Sequence, residues 1–245
     1  MYGLMHEGMP EKLEMSLDIP SVCADKLLRD EVDFALVPVA VLPLLDNPHI
    51  ISDYCIGTVG AVKTVGIYSD VPIEKIEKLY LDFHSRTSVR LARILLEEYW
   101  QVAPEFLSAE EGFLHQISGT TAAVVIGDRT IGLESRYAYS YDLGEYWQKL
   151  TGLPFVFAAW VSNKELPLDF IAQLNSAFDY GIHRIPELMY ILPSPSPDFD
   201  LEEYFTKYIS YDLDAEKRAG LRLFLNKIGM QKSLTFQNTG FSTTE

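Results

Sequence analysis

Ser85, Arg86, Thr87 and Ser88 follow an apolar run, KLYLDF, and precede a helical pattern, SVRLARILLEEYWQ. Three hydroxyls and a guanidinium at a strand-to-helix junction support two kinds of chemistry. Ser and Thr cap helices by accepting hydrogen bonds from first-turn N–H groups. The same N–H groups, the hydroxyls and the positive end of the helix dipole also form a seat for a carboxylate or phosphate. A cap needs one hydroxyl, and this junction has three plus an arginine, which favours the anion seat. Arg86 adds charge to that seat or points to solvent, and the sequence leaves both open. Thr64, in GAVKTV, falls where a strand lining a cleft would start, though a half-buried strand threonine explains it equally well. Gly57 and Gly60 allow close backbone approach to a ligand or simply make a turn. Asp128, after AAVVIG, either orients groups at a strand's carboxyl end or caps the next turn. His84 and His115 lack partners at metal-ligand or triad spacing, so no base is assigned. There is no nucleophile elbow, phosphate loop or dinucleotide fingerprint.

The elements that must position these residues alternate in type. LEMSLDI (13–19) reads as a strand, and Pro20 and Ser21 open a helix over VCADKLLRDE with Ser21 as its cap. FALVPV is a buried strand running into a Pro-broken turn, and HIISDYCIG and VKTVGIYS are two β runs flanking the Gly57–Gly60 loop. PIEKIEK is a short helical connector and KLYLDF a strand. AAVVIGD is a buried strand and DLGEYWQKLTG a helix closed by Gly152. LPFVFAAWV is a strand whose aromatic residues Phe155, Phe157 and Trp160 fit a core better than a substrate platform. LPLDFIAQLNSAFDYGIHRI, EEYFTKYI and DAEKRAGLRLFLNKIG are helices, and the tail after Lys232 is polar and loose. The alternation predicts an α/β protein with mostly parallel sheets. VKTVGIYS and LPFVFAAWV are the expected crossings between two lobes, one formed by 1–64 and 160–245, the other by 65–159. In such sheets ligands sit beyond the carboxyl ends of strands.

A net charge of −15 argues against nucleic acid or an anionic membrane as partner and requires any anionic ligand to be held by local donors. No apolar run approaches the length of a membrane span. The first twenty residues lack the basic start and apolar run of a secretory leader, and Cys23 and Cys55 lack metal-ligand spacing, so a cytoplasmic location is expected.

LDIPSVCADKLL, VDFALVPVAVLP, ISDYCIGTVGAVKTVGIYS, LDFHSRTSVRLARILL, AAVVIGD and YDLGEYWQKLTGLPFVFAAW together resemble the chorismate dehydratase family (MqnA) of the futalosine route to menaquinone. The resemblance spans about residues 2–230. It implies a type II periplasmic-binding-protein-like fold, with two α/β lobes joined by two crossing strands around a cleft. It further implies a carbon–oxygen lyase that takes chorismate as substrate and gives 3-[(1-carboxyvinyl)oxy]benzoate in the cytoplasm, with no metal or organic cofactor. On this reading Thr64, Ser85, Arg86, Thr87, Ser88, Gly60 and Asp128 bind substrate. Family members open with a strand and a Ser-Tyr-Leu-Asn-Thr-like segment just before the position matching Tyr2-Gly3-Leu4, and the resemblance implies an active-site role for that Asn. No counterpart occurs here, so the resemblance assigns no catalytic residue and leads us to expect an in-frame upstream extension. Two alternatives share the scaffold: the 1,4-dihydroxy-6-naphthoate synthase of the same pathway, and a non-catalytic binder of a small carboxylate.

Overall fold

Strand-forming runs assemble into two five-stranded sheets in a computed structural model that describes residues 2–6, 13–82, 85–197 and 199–237. Sheet A contains β1 (Phe34–Pro38), β2 (His49–Thr58), β8 (Phe155–Ser162), β9 (Ser210–Asp212) and β10 (Thr235–Phe236). Its order is β1-β8-β2-β10, with β9 also on β2. Sheet B contains β3 (Val65–Ser69), β4 (Lys78–Leu81), β5 (Glu105–Ser108), β6 (Thr121–Ile126) and β7 (Tyr139–Asp142), in the order β5-β4-β6-β3-β7. Five labelled helices pack on these sheets: α1 (Pro20–Leu28), α2 (Arg86–Ile94), α3 (Leu143–Thr151), α4 (Leu168–His183) and α5 (Ala215–Lys227).

Several expectations need correction. The sheets are mixed, not mostly parallel: only β10–β2, β4–β5 and β4–β6 run parallel. The other five pairings are antiparallel, because β8 lies between β1 and β2, β9 flanks β2, and β3 lies between β6 and β7. β5 and β7 escaped the sequence reading because they are largely exposed edge strands without apolar alternation. Residues 13–19 join neither sheet. Met15, Leu17 and Ile19 are exposed there, so the alternating pattern has no partner to pair with. Helix α1 starts at Pro20 with Ile19 at the N-cap and no side-chain cap; Ser21 lies inside its first turn. PIEKIEK forms only a three-residue 3₁₀ turn, Ile73–Lys75. EEYFTKYI divides into a short α turn and a π turn, Tyr204–Tyr208. The tail is not wholly loose, since Thr235–Phe236 pairs with β2. The run VKTVGIYS does not itself cross: β3 belongs entirely to sheet B, and the passages between sheets are 59–64 and 143–154.

One apolar cluster continues from sheet A into sheet B, from Val37, Ile50 and Val161 to Ile67, Leu79 and Val124. Trp147 of α3 is fully buried at its centre, its ring 5.2 Å from Phe155 and 6.2 Å from Phe224 of α5. The indole N–H donates to the Pro154 carbonyl at 3.2 Å, so this large aromatic side chain is buried without an orphan donor. Gly152 closes α3 at φ 72, in the left-handed region that favours glycine.

The two passages meet at Asp142. Its Oδ1 accepts from Gly144 N at 2.9 Å and Glu145 N at 3.0 Å, capping α3. Its Oδ2 accepts from Val62 N at 3.0 Å and Lys63 N at 2.7 Å in the other passage. Lys63 is held there at φ 68, a conformation that costs a non-glycine residue about 1 kcal/mol or more. Burial pushes the Asp142 carboxyl pKa up, and the four N–H donors pull against it. A Cβ on Gly144 would lie 2.5 Å from the Gly60 carbonyl oxygen, so only glycine allows this contact. Asp142→Ala removes a cap and strands the N–H groups of a strained turn. It should lower the unfolding free energy by about 3 kcal/mol in urea titrations, with Asp142→Asn losing less.

Candidate active site

Register determines which ends of the sheet B strands coincide. β4 and β6 are parallel, with Leu79 opposite Ala122, while β3 is antiparallel to β6, with Val65 opposite Ile126. The carboxyl ends of β4 and β6 and the start of β3 therefore share one rim. Ser85–Ser88 follow β4, Asp128 follows β6, and Thr64 precedes β3, where its carbonyl accepts from Gly127 N at 2.8 Å. Residues scattered over 64–128 thus gather at one edge. Gly60 stays in the connecting loop, its N–H donating to Thr58 Oγ1 at 3.3 Å and its carbonyl accepting from the same hydroxyl at 3.1 Å.

The four residues after β4 divide their work. Ser85 is the N-cap of α2, accepting from Ser88 N at 3.3 Å and donating its own proton to Ser88 Oγ at 2.7 Å. The Thr87 hydroxyl donates to the Phe157 carbonyl at 3.1 Å and accepts from Ala40 N at 3.2 Å, both on the sheet A side. Phe157 is available because it is the extra residue of a bulge: Ile56 faces Ala158 and Gly57 faces Val156, which leaves Phe157 without an opposite on β2. Arg86 reaches Asp25 of α1 at 2.8 Å, so its partly exposed guanidinium crosses toward the sheet A side. Cap and tie explain much of the Ser/Thr content, and Ser85, Arg86 and Ser88 remain at the positive end of α2.

Two groups that the sequence did not single out join this rim. Arg129, in the turn after β6, pairs with Asp82 at the end of β4; Asp82 is buried while the guanidinium is 41% exposed. Tyr204 comes from the sheet A side, and its phenol lies 2.8 Å from Thr64 Oγ1. Burial raises the Tyr204 pKa, the Thr64 hydrogen bond pulls against it and the Asp128 carboxylate adds to it, and the net shift is upward, so the phenol keeps its proton. No spacing in the sequence links Tyr204 to Thr64 across 140 positions. His115 is exposed, and His84 lies outside the described residues. Among the described residues no group of three His, Cys, Asp or Glu side chains could hold a metal, and no helix is long and apolar enough to cross a membrane.

A separate hollow of about 90 Å³ lies against β3 and β7, lined by Lys63, Tyr68, Glu134, Asp142 and Glu145. Three carboxylates facing one ammonium suit a small anion poorly, and none of the rim hydroxyls reaches it. The rim is the better candidate. Two substitutions distinguish cap from tie there. Ser85→Ala should cost about 1 kcal/mol of stability. Thr87→Val should cost more, about 2 kcal/mol, because it leaves the part-buried Ala40 N–H and the bulge carbonyl unpaired. Urea titration of both variants tests that ranking, and an equal cost would contradict it.

Comparison with known proteins adds the family. The chain is 26% identical over 239 residues to a chorismate dehydratase of Thermus thermophilus, covering 86% of this chain and 85% of that one. Among solved structures, one from Archaeoglobus fulgidus superposes with a TM-score of 0.70 at 15% identity, covering 92% of this chain and 90% of that chain. An ABC transporter structure from Parabacteroides distasonis superposes with a TM-score of 0.56 at 17% identity, covering 94% and 86%. These two bear on the fold alone, and they share its mixed α/β architecture. Residues 1–229 match the model of the menaquinone biosynthesis family, and the chain belongs to that family.

Proposed function

We propose that this protein is a chorismate dehydratase, a hydro-lyase that converts chorismate to 3-[(1-carboxyvinyl)oxy]benzoate and water. The family match over residues 1–229 carries this reading, and the Thermus thermophilus relative supports it. In the reaction the ring loses the hydrogen at the ether-bearing carbon and the hydroxyl at its neighbour. The C–H electron pair becomes part of the aromatic ring as the C–O bond breaks, and the leaving oxygen departs as water. Aromatisation supplies the driving force, so the protein's task is to hold a dianion in one orientation and keep bulk water away.

The arrangement that fits best is a type II periplasmic-binding-protein-like clamp, with sheet A and its helices in one lobe and sheet B, 65–142, in the other. Its ligand site is the rim between the sheets. The start of α2 receives one carboxylate: Ser85, whose proton goes to Ser88 Oγ, caps the turn, and the Ser88 hydroxyl and the positive end of the helix face the anion. Thr64 and Asp128 border the same space, and the guanidiniums of Arg86 and Arg129, paired with Asp25 and Asp82, lie beside it in a chain of net charge −15. Thr87 contributes by tying α2 to the bulge on β8, which fixes the helix start relative to sheet A.

The test is direct. Purified protein incubated with chorismate should abolish the near-ultraviolet absorbance of the diene. Mass spectrometry should find a product lighter by one water, with the rate unchanged by a metal chelator. Intact chorismate after prolonged incubation with a high concentration of protein made from the full natural reading frame would refute the assignment.

A further inference from the structure

We infer that Tyr204 is a positioning residue of this rim: its phenol crosses from the sheet A side to hold the Thr64 hydroxyl in place beside Asp128. The inference rests on the functional reading above for its kinetic consequences, while its geometry stands independently. Tyr204 begins the π turn Tyr204–Tyr208, and its ring lies 5.4 Å from that of Phe199 and 5.1 Å from that of Phe205. Two residues beyond that turn, Ser210 pairs with Gly57 of β2, so the turn is fastened to sheet A. Local widening of a helix into a π turn commonly accompanies a functional site.

Thr64 is equally constrained from the other side. It follows the strained Lys63, its N–H donates to the Val62 carbonyl at 2.8 Å, and its own carbonyl accepts from Gly127 N. With the backbone fixed, the hydroxyl rotor is what remains free, and the phenol at 2.8 Å sets it. Each hydroxyl carries one proton. When one donates to the other, a single proton is left to point away from the pair. Two hydroxyls in this arrangement form one neutral, oriented donor at the edge of a site for a dianion. A phenol kept protonated by burial serves this purpose at any physiological pH.

Three variants test the inference: Tyr204→Phe, Thr64→Val and the double substitution. Phe retains the ring contacts with Phe199 and Phe205, so the melting temperature of Tyr204→Phe should stay close to that of the wild type. Each single change should lower kcat/KM for chorismate about five- to tenfold, the effect of one lost hydrogen bond. The double variant should be no worse than the weaker single, since the pair acts as a unit. Single variants within twofold of wild type, or losses that multiply in the double variant, would overturn the inference. A wild-type protein that leaves chorismate untouched would refute the dehydratase reading instead. The Tyr204 tie is then judged without substrate, by amide hydrogen exchange over Lys63–Gly66. Exchange there should be about fivefold faster in Tyr204→Phe. Exchange equal to that of the wild type would overturn the tie whatever the substrate.

Discussion

The Asp142 carboxylate holds together the two places where the chain passes between sheets. One oxygen caps α3 on the returning passage, and the other accepts two consecutive N–H groups of the outgoing passage. Without that carboxylate the Val62–Thr64 turn has no evident reason to keep Lys63 at positive φ, and Thr64 loses its fixed position at the rim. Gly144 and Gly60 meet beside it at a distance no larger residue permits. The relative placement of the sheets therefore begins with one side chain that does not touch the rim.

From that pin outward, further contacts close the sheets on each other. Trp147, Phe155 and Phe224 fill the interior behind the rim, where apolar burial is worth about 1.5–3 kcal/mol for each large side chain. In front of them, directional polar contacts take over: Thr87 to the bulge at Phe157, Arg86 to Asp25, and Thr64 to Tyr204. The partly exposed Arg86–Asp25 pair contributes little stability, since water and salt screen it. Its role is to fix register between α1 and α2. A site closed by a few hydrogen bonds over an apolar base can open without unfolding.

Charge sets a second constraint. A protein with 35 acidic and 20 basic side chains repels a dianion at long range. Capture must come from local donors in a partly desolvated setting, where hydrogen bonds to a charged group are strongest. On the proposed reading that task falls to the rim, where the start of α2 and the Thr64–Tyr204 pair lie. Elsewhere the buried Asp53 of β2 and the buried Lys217 of α5 are paired with Arg218 and Asp214 at the start of α5.

The sequence by itself determined the elements whose signals are local. Apolar runs such as FALVPV and AAVVIG marked buried strands, helical spacing marked α2, α4 and α5, and Gly152 marked the end of α3. The junction after KLYLDF was legible because a strand, a hydroxyl cluster and a helix follow one another directly. What the tertiary structure decided depended on pairing across long separations. Whether LEMSLDI became a strand depended on a neighbour to bond with, and it has none among the described residues. Parallel or antiparallel order depended on which strands became adjacent, and β8 between β1 and β2 gave antiparallel ladders. Thr87 reads as part of an anion seat from its neighbours in sequence; only a bulge on β8, 70 residues away, turned it into a tie. Tyr204 carried no local mark of function, because a tyrosine in an amphipathic turn satisfies ordinary packing until folding brings Thr64 to its hydroxyl.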